Sequence, residues 1–167
     1  MLPANRTTDV VRSSRPAEGA FREWIRTLGL LERVMQTYFA RFGISGAQWG
    51  VLRNLHRAEE EGLTGLRQTD LSERLLVRPP SVTGVVDRLE RAGLVQRAGS
   101  QTDLRAKQVV LTLKGRELVD RVLTVHGQQI EMVLSGLNTK EQAEFQRLMG
   151  RVGQHLEGLL TAGSAVG

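Results

Sequence analysis

The apolar positions along the chain recur mainly with helical spacing, which predicts a mostly helical protein. From Phe21 to Phe42 the apolar residues alternate spacings of three and four, as on a helix with a narrow apolar seam. The same spacing returns after Thr112 and again from Phe145 to Leu160. These seams exceed what a small domain can cover, so we expect the long helices to pack on one another and on a second copy of the chain.

A shorter helix is predicted in the middle of the chain, over Pro79–Ala92. Between Val82 and Leu89, three valines and a leucine stand at i, i+3, i+4 and i+7, which places them on one face. The first proline suits the start of a helix, and Gly93 suits the residue just past its end. Gly84 lies on the opposite, polar face, where a glycine costs about 1 kcal/mol relative to alanine. A close approach to Gly84 by something outside the chain would explain this residue, and a merely tolerated glycine is the alternative.

The segment after this helix predicts a β-hairpin. Val95–Gly99 and Lys107–Thr112 have the pattern of strands, and the polar residues SQTDLRA join them. An arginine at the tip of a projecting hairpin is suited to a narrow minor groove of DNA, and Arg105 has this position. We expect Asp103 to restrain the Arg105 side chain through a charge-assisted hydrogen bond. A hairpin that is merely solvated is the alternative.

The remaining segments complete a winged helix-turn-helix. Ser45 is expected to cap a second helix, Leu63–Leu66 to form a short strand, and Gln68–Leu76 to form a short helix. Two short helices followed by a hairpin form a module whose second helix enters the major groove of DNA. The predicted fold class is therefore mainly α with a small β-wing: a winged helix-turn-helix flanked by N- and C-terminal dimerisation helices. The predicted organisation is a flexible arm at 1–17, an N-terminal dimerisation helix at 18–44, the winged helix-turn-helix DNA-binding domain at 45–112, C-terminal dimerisation helices at 113–161 and a frayed tail at 162–167.

Composition narrows the classes of function. The 167 residues carry a net charge of +5, which favours an anionic partner, and include no cysteine, which excludes disulfides, thiol nucleophiles and zinc–thiolate sites. No apolar run reaches the length of a membrane span and the N-terminus lacks a signal-peptide core, so we expect a cytoplasmic protein without a membrane partner. No phosphate-binding glycine loop or compact histidine set is present, which argues against an enzyme, a metal centre or a cofactor. Pairing of distant histidines, such as His56 with His126, keeps a metal-responsive regulator as an alternative.

The central segments resemble a known family. LRQTDLSERLLV and PPSVTGVVDRLERAGLVQR, separated by one residue and followed by TDLRAKQVVLTLKG, resemble the MarR family of bacterial transcription regulators, and the helix pattern agrees from about Phe21 to Leu160. The most specific parts are D-x-R at Asp103 and Arg105, LT-x-x-G ending at Gly115, and VVDRLE-x-x-GL. The resemblance implies an obligate homodimer on a pseudo-palindromic operator, recognition helices in successive major grooves, wings in the minor groove, and usually repression relieved by a small ligand.

The sequence departs from the family pattern at three positions. Gly84 stands where members often carry a basic or polar residue, and Leu104 stands where a second arginine is common, so base readout is expected to be leaner. Arg78 occupies the position of a common serine cap, which weakens the cap and adds a charge that attracts phosphate.

We predict that the two short helices and the hairpin contact DNA. Ser81 and Thr83 are short donors for a phosphate or a base edge, and Arg88 suits either role. Helix capping is the alternative for Ser81. The complete predicted set is Gln68, Thr69, Arg78, Pro79, Ser81, Thr83, Gly84, Asp87, Arg88, Arg97, Asp103, Arg105 and Lys107.

Within this set, the phosphate contacts are expected to fix the register of the protein on DNA. They are assigned to Arg78, Arg97 and Lys107, with a solvated charge as the alternative for each. Gln68 and Thr69 begin the first short helix and are placed to reach the DNA backbone, although Thr69 equally suits the cap of that helix.

An effector is expected between the dimer helices and the winged module, as in members of the family. Trp49, Arg53 and His56 share one face of the second helix, and an aromatic plane beside a cation suits an anionic aromatic ligand. The alternative places Trp49 in the core and leaves Arg53 and His56 exposed or paired; Trp24 is equally ambiguous. The dimer contacts are predicted at Phe21, Trp24, Leu28, Phe145, Leu148, Val152, Leu156 and Leu159.

The sequence thus predicts a sequence-specific regulator that binds double-stranded DNA, a homodimeric repressor released by a small ligand. An architectural DNA-binding protein without an effector is the second hypothesis, because Gly84 and the short polar face indicate weak base readout.

Overall fold

The computed structural model describes residues 16–99 and 107–164, and over these ranges the chain is mainly helical with one two-stranded sheet. The elements are α1 Pro16–Ala40, α2 Gly46–Glu60, α3 Gln68–Leu75, α4 Pro79–Arg91, β1 Val95–Gly99, β2 Lys107–Leu111, α5 Leu113–Leu134 and α6 Thr139–Ser164. Long helices therefore flank two short helices and a hairpin, which confirms the predicted fold class.

The chain divides into two compact units, residues 1–50 and residues 51–167. In the first unit, the end of α1 contributes to a small aromatic cluster. Tyr38 and Phe39 are buried with ring centres 5.0 Å apart, and the Phe39 ring lies 5.6 Å from that of Trp49. Trp49 is itself buried, which agrees with the alternative that placed it in the core.

In the second unit, the short helices and the hairpin bury one face each. The apolar residues of α4 between Val82 and Leu89 are all buried, which confirms the face that their spacing predicted. α4 packs on α3 and β1, and β2 packs on α5. Other buried residues of this unit include Leu52, Leu55, Leu71, Val95, Val109 and Val119.

The hairpin gains a single bridge from the segment before α3. β1 and β2 pair antiparallel along all five residues of each strand. Of the strand predicted at Leu63–Leu66, only Leu66 pairs with the hairpin, through hydrogen bonds of 3.1 and 2.8 Å with Val109. Gly65 lies close against β2, because a Cβ there would stand 2.7 Å from the Val109 carbonyl oxygen.

The first turn of α5 is bonded to the turn that precedes β1. Thr112 caps α5: its Oγ1 accepts from the Gly115 N–H at 3.0 Å and donates to the Gly93 carbonyl at 2.7 Å. A Cβ on Gly115 would lie 2.0 Å from the Leu94 carbonyl oxygen, so no side chain fits there. Thr112 is therefore the N-cap of α5, whereas the prediction made it the last residue of the second strand.

Ion pairs tie the end of α2 to two other helices of the second unit. Glu59 binds Arg116 of α5 at 2.7 Å, and Glu61 binds Arg74 of α3 at 2.6 Å. Hydrogen bonding by Arg74 lowers the pKa of Glu61. Glu59 in the last turn of α2 and Glu61 just after it thus link this helix to α5 and α3.

The helices at the two ends of the chain differ from their predicted boundaries, and α1 also ends at Ala40, before the predicted residue 44. α1 begins at Pro16, inside the predicted arm, because proline suits a first helical position. α6 continues to Ser164, past the boundary predicted at residue 161, because residues such as Ala162 favour helix. Residues 1–15 and 165–167 lie outside the described residues, so the flexible arm and the frayed end remain predictions there.

Candidate nucleic-acid interface

α4 begins with an exposed turn that contains two prolines. Arg78 is the N-cap, makes no side-chain capping bond, and is exposed together with Pro79 and Ser81. Pro79 and Pro80 lack an N–H, and the Ser81 N–H donates to the Arg78 carbonyl at 3.0 Å, so this turn offers few backbone donors to a phosphate. Side chains must supply them instead. Ser81 does not cap the helix, which was its alternative role, because Arg78 occupies that position.

A chain of hydrogen bonds joins the start of α3 to α4 and β1. In the orientation that satisfies both neighbours, the Gln68 amide nitrogen donates to Thr83 Oγ1 at 2.8 Å, and the amide oxygen accepts from Arg97 Nε at 3.2 Å. The Thr83 hydroxyl donates to the Pro79 carbonyl at 3.2 Å. Three predicted DNA contacts, Gln68, Thr83 and Arg97, are therefore direct neighbours.

Arg97 is held by two carboxylates of α4. Its Nη2 lies 2.5 Å from Asp87 Oδ1, its Nη1 donates to Glu90, and its backbone N–H donates to Glu90 Oε1 at 3.1 Å. Hydrogen bonding to Asp87 is the largest cause that raises the pKa of Arg97. One guanidinium and two carboxylates leave a net charge of −1, so Arg97 presents less positive charge to a phosphate than its sequence context predicted.

Gly84 and Arg88 form the open part of the α4 surface. A Cβ on Gly84 would meet only Arg88 Nη1, at the ordinary contact distance of 3.6 Å. Packing within the described ranges therefore does not require glycine at this position, and the approach from outside stays a prediction. Arg88 is exposed and its guanidinium makes no hydrogen bond or ion pair with residues 16–99 or 107–164, so its charge is available to a ligand.

The start of α3 is capped by Arg67 rather than by Thr69. The Arg67 backbone N–H donates to Asp70 Oδ2 at 3.0 Å, and its guanidinium binds the same carboxylate at 2.8 Å. These hydrogen bonds lower the pKa of Asp70. Thr69 is exposed in the first turn, so the alternative that it caps α3 is wrong.

The hairpin contributes two described residues to the predicted set, Arg97 of β1 and Lys107 of β2. Lys107 begins β2 opposite Gly99 and is exposed. Asp103, Leu104 and Arg105 lie in residues 100–106, outside the described ranges. Entry of Arg105 into the minor groove therefore remains a prediction.

The sequence-based set missed two residues of this surface. Glu90 follows Asp87 by three positions, a spacing that puts both carboxylates on one flank of α4 beside Arg97. Two acidic residues in an otherwise basic segment were the sequence signal that could have predicted this pairing with Arg97. Arg67 was missed because its carboxylate partner, three residues later, was not considered as a cap.

The residues predicted to bind an effector are paired with other side chains. Arg53 Nη1 lies 3.0 Å from His56 Nδ1 and 3.2 Å from Glu60 Oε2, and His56 Nε2 lies 3.8 Å from Asp120 Oδ1. Burial first, and the charge of Arg53 second, lower the pKa of His126. Within residues 16–99 and 107–164, no group of three histidine, aspartate or glutamate side chains is arranged to hold a metal ion.

A groove of about 410 Å³ in the first unit has a different lining from the predicted effector site. It lies between α1 and the start of α2, where its apolar wall includes Leu28, Leu31 and Met35. Trp24 is half-buried and meets Phe21 edge-on at 6.2 Å, outside this groove.

α1 and α6 each leave an apolar seam exposed. The exposed residues of the α1 seam are Phe21, Ile25, Leu28, Leu31 and Val34. Those of the α6 seam are Phe145, Leu148, Met149, Val152, Leu156, Leu159 and Leu160. All predicted dimer residues except Trp24 belong to these two seams.

Among the helices of the described residues, none combines the length and the hydropathy of a membrane-spanning segment.

The sequence is similar to those of known transcription regulators. A model of the MarR family matches residues 42–106. The transcriptional regulator PecS of Dickeya dadantii (strain 3937) is 27% identical over 127 residues, which cover 76% of this chain and 75% of PecS. YkoM of Bacillus subtilis (strain 168), described as an uncharacterized HTH-type transcriptional regulator, is 33% identical over 118 residues, which cover 71% of this chain and 73% of YkoM. These relatives are regulators, not enzymes.

Solved structures show the same fold at low sequence identity. AbsC of Streptomyces coelicolor, a MarR family transcriptional regulator, has a TM-score of 0.75 at 23% identity, covering 86% of this chain and 97% of AbsC. A mutant MarR from E. coli in complex with operator DNA has a TM-score of 0.72 at 23% identity, covering 80% and 93%. BpsR of Bordetella bronchiseptica, whose DNA binding is regulated by 6-hydroxynicotinic acid, has a TM-score of 0.71 at 22% identity, covering 81% and 99%.

Proposed function

Because the chain belongs to the MarR family of transcription regulators, we propose that it acts as a homodimeric repressor on a pseudo-palindromic operator in double-stranded DNA. The observation that carries this proposal is the two-sided character of α4. One face is buried in the core, which fixes the helix, and the other exposes Arg78, Ser81, Thr83 and Arg88. A helix anchored in this way presents its N-terminal half to the major groove.

The cations of the predicted set have three proposed roles. Arg88 lies in the middle of α4, next to Gly84, and its uncommitted guanidinium suits a guanine edge or a phosphate. Arg78 and Lys107 lie at the margins and contact phosphates, which set register rather than sequence. Arg105 enters the minor groove from the hairpin turn.

A second copy of the chain covers the exposed seams of α1 and α6. Seven large apolar side chains run along α6 from Phe145 to Leu160, and a monomer rarely leaves so long a seam open to water. A two-fold dimer also sets two α4 helices at the spacing of successive major grooves.

Release from DNA by a small anionic aromatic ligand completes the proposal. The regulation of BpsR by an aromatic acid supports this class of ligand. Arg53 and His56 of the second unit remain the proposed contacts, whereas the burial of Trp49 against Phe39 in the first unit favours its alternative role in the core. Because Glu60 already binds Arg53 at 3.2 Å, an anionic ligand has to replace that carboxylate at the guanidinium.

The proposal is tested by fluorescence anisotropy with two DNA duplexes of equal composition. One duplex is selected by the protein from a random-sequence pool, and the other is a scrambled version. A regulator should prefer the selected duplex by about 10³-fold or more. Similar affinity for both would favour the architectural hypothesis instead. Arg88→Ala and Arg105→Ala should each weaken binding without changing the oligomeric state, whereas Arg147→Ala on the polar face of α6 is the matched control.

A further inference from the structure

We propose that Arg97 is a positioning residue that fixes the Thr83 hydroxyl as a hydrogen-bond acceptor on the DNA-facing surface of α4, and thereby helps to select the base that Thr83 contacts. This inference rests on the proposed function and assigns Arg97 a role other than the phosphate contact predicted from sequence.

The Arg97 guanidinium connects three elements of the second unit. From β1 it reaches Asp87 and Glu90 on α4 and the Gln68 amide oxygen on α3, at 3.2 Å from Nε and 3.1 Å from Nη2. Its side chain is only 23% exposed. A planar fork whose three nitrogens each donate to a neighbouring acceptor is restrained, and two adjacent carboxylates repel a phosphate.

The direction of the hydrogen bonds follows from the chemistry of arginine. A guanidinium has donors and no acceptor, so Gln68 must turn its oxygen toward Arg97. Its amide nitrogen then faces Thr83 and donates to Oγ1 at 2.8 Å. With the Gln68 nitrogen facing Oγ1, the acceptor left within reach of the Thr83 proton among the described residues is the Pro79 carbonyl, 3.2 Å away.

The Thr83 oxygen is left with one unused lone pair on an exposed side chain. Such an acceptor complements the amino group of adenine or cytosine in the major groove, and it does not complement guanine O6 or thymine O4. Without Arg97 the Gln68 amide is free to rotate, and the Thr83 hydroxyl can then donate as well as accept. Loss of Arg97 therefore removes a base preference, while the net number of phosphate contacts stays the same.

A double-mutant cycle on base preference tests this role. Affinities are measured for the selected duplex and for single-base-pair variants at each position, with wild type, Thr83→Val, Arg97→Gln and the double variant. Thr83→Val identifies the base pair read by Thr83, through a loss of preference on the order of tenfold. We expect Arg97→Gln to lose the same preference and the double variant to lose no more than Thr83→Val alone. Additive losses would overturn the proposal.

The salt dependence of binding distinguishes the positioning role from a phosphate contact. If Arg97 bound a phosphate, Arg97→Gln would reduce the slope of log K against log salt concentration by about 0.9 and leave base preference intact. We expect the slope to remain that of wild type. Arg97→Lys keeps the charge and should recover part of the base preference. If thermal melting shows that Arg97→Gln is unfolded, Arg97→Lys takes its place in the double-mutant cycle. A wild-type protein without any base preference would refute the proposed function; a discriminating wild type with an additive cycle would refute only the role of Arg97.

Discussion

α4 and α6 carry similar apolar patterns in opposite surroundings. The four seam residues of α4 are 0–7% exposed, whereas the seven large apolar residues of the α6 seam are 37–70% exposed. α4 packs on α3 and β1 of its own chain. We propose that a second copy covers α6. Helical periodicity thus shows that a face needs cover, and only the folded chain shows whether the chain itself supplies it.

The largest effect is expected from charge placed in the α6 seam. Leu148→Asp combined with Leu156→Asp would bury unpaired carboxylates in the proposed dimer interface, which should raise the dimer dissociation constant by about 10⁴-fold. Sedimentation at several protein concentrations measures this change. Gln154→Asp, on the opposite face of α6, adds a charge without touching the seam and should leave the dimer intact. A double variant that remains dimeric would show that α6 is not the interface.

A large effect of a different kind is expected in α4. Leu89→Ala removes a fully buried side chain and should lower the free energy of unfolding by about 2–5 kcal/mol. Urea unfolding measures this free energy. The difference between the variant and wild type should not depend on protein concentration, because α4 packs on elements of its own chain. The exposed neighbour change Arg91→Ala should have an effect within about 0.5 kcal/mol. A loss for Leu89→Ala below 1 kcal/mol, on the order of a surface substitution, would contradict the buried assignment.

Two glycines allow the contrast between an exposed surface and an internally covered one to be tested at single positions. Gly84→Ala should raise the free energy of unfolding by about 1 kcal/mol, because its Cβ has room and alanine favours helix. DNA affinity should fall if the DNA approaches the backbone here. Gly115→Ala is the internal counterpart and should destabilise by about 1–3 kcal/mol, since its Cβ would meet the Leu94 carbonyl. Thermal melting and anisotropy together test the pair; unchanged DNA binding by Gly84→Ala would mean that the glycine is merely tolerated.

The smallest effect is acid-dependent and concerns α3, the helix on which α4 packs. Hydrogen bonds from Arg67 and Arg74 lower the pKa values of Asp70 and Glu61. Carboxyl groups with a lower pKa in the folded state contribute stability above their unfolded pKa and lose it as the pH falls through the folded pKa. The melting temperature should therefore change little between pH 7 and about 5 and decline below about pH 4. The decline should be smaller for Asp70→Asn, and a melting temperature that rises on acidification would contradict these ion pairs.

Local pattern predicted the elements of this fold, and long-range pairing decided the roles of individual side chains. The valines between Val82 and Leu89 needed only helical geometry to be assigned to the core. Arg97 looked like a phosphate contact because its acceptors, Asp87 and Gln68, lie in other elements that the sequence does not place beside it. Trp49 was ambiguous for the same reason, since its contact with Phe39 depends on the turn between two helices.

The bonded junction at Thr112 gives the second unit a mechanical property. Because Thr112 bonds the first turn of α5 to the Gly93 carbonyl before β1, a change in the tilt of α5 would also turn the base of the hairpin. α5 has 22 residues and is about 33 Å long. A displacement of about 3 Å at the far end of α5 therefore corresponds to a rotation of about 5° at this junction.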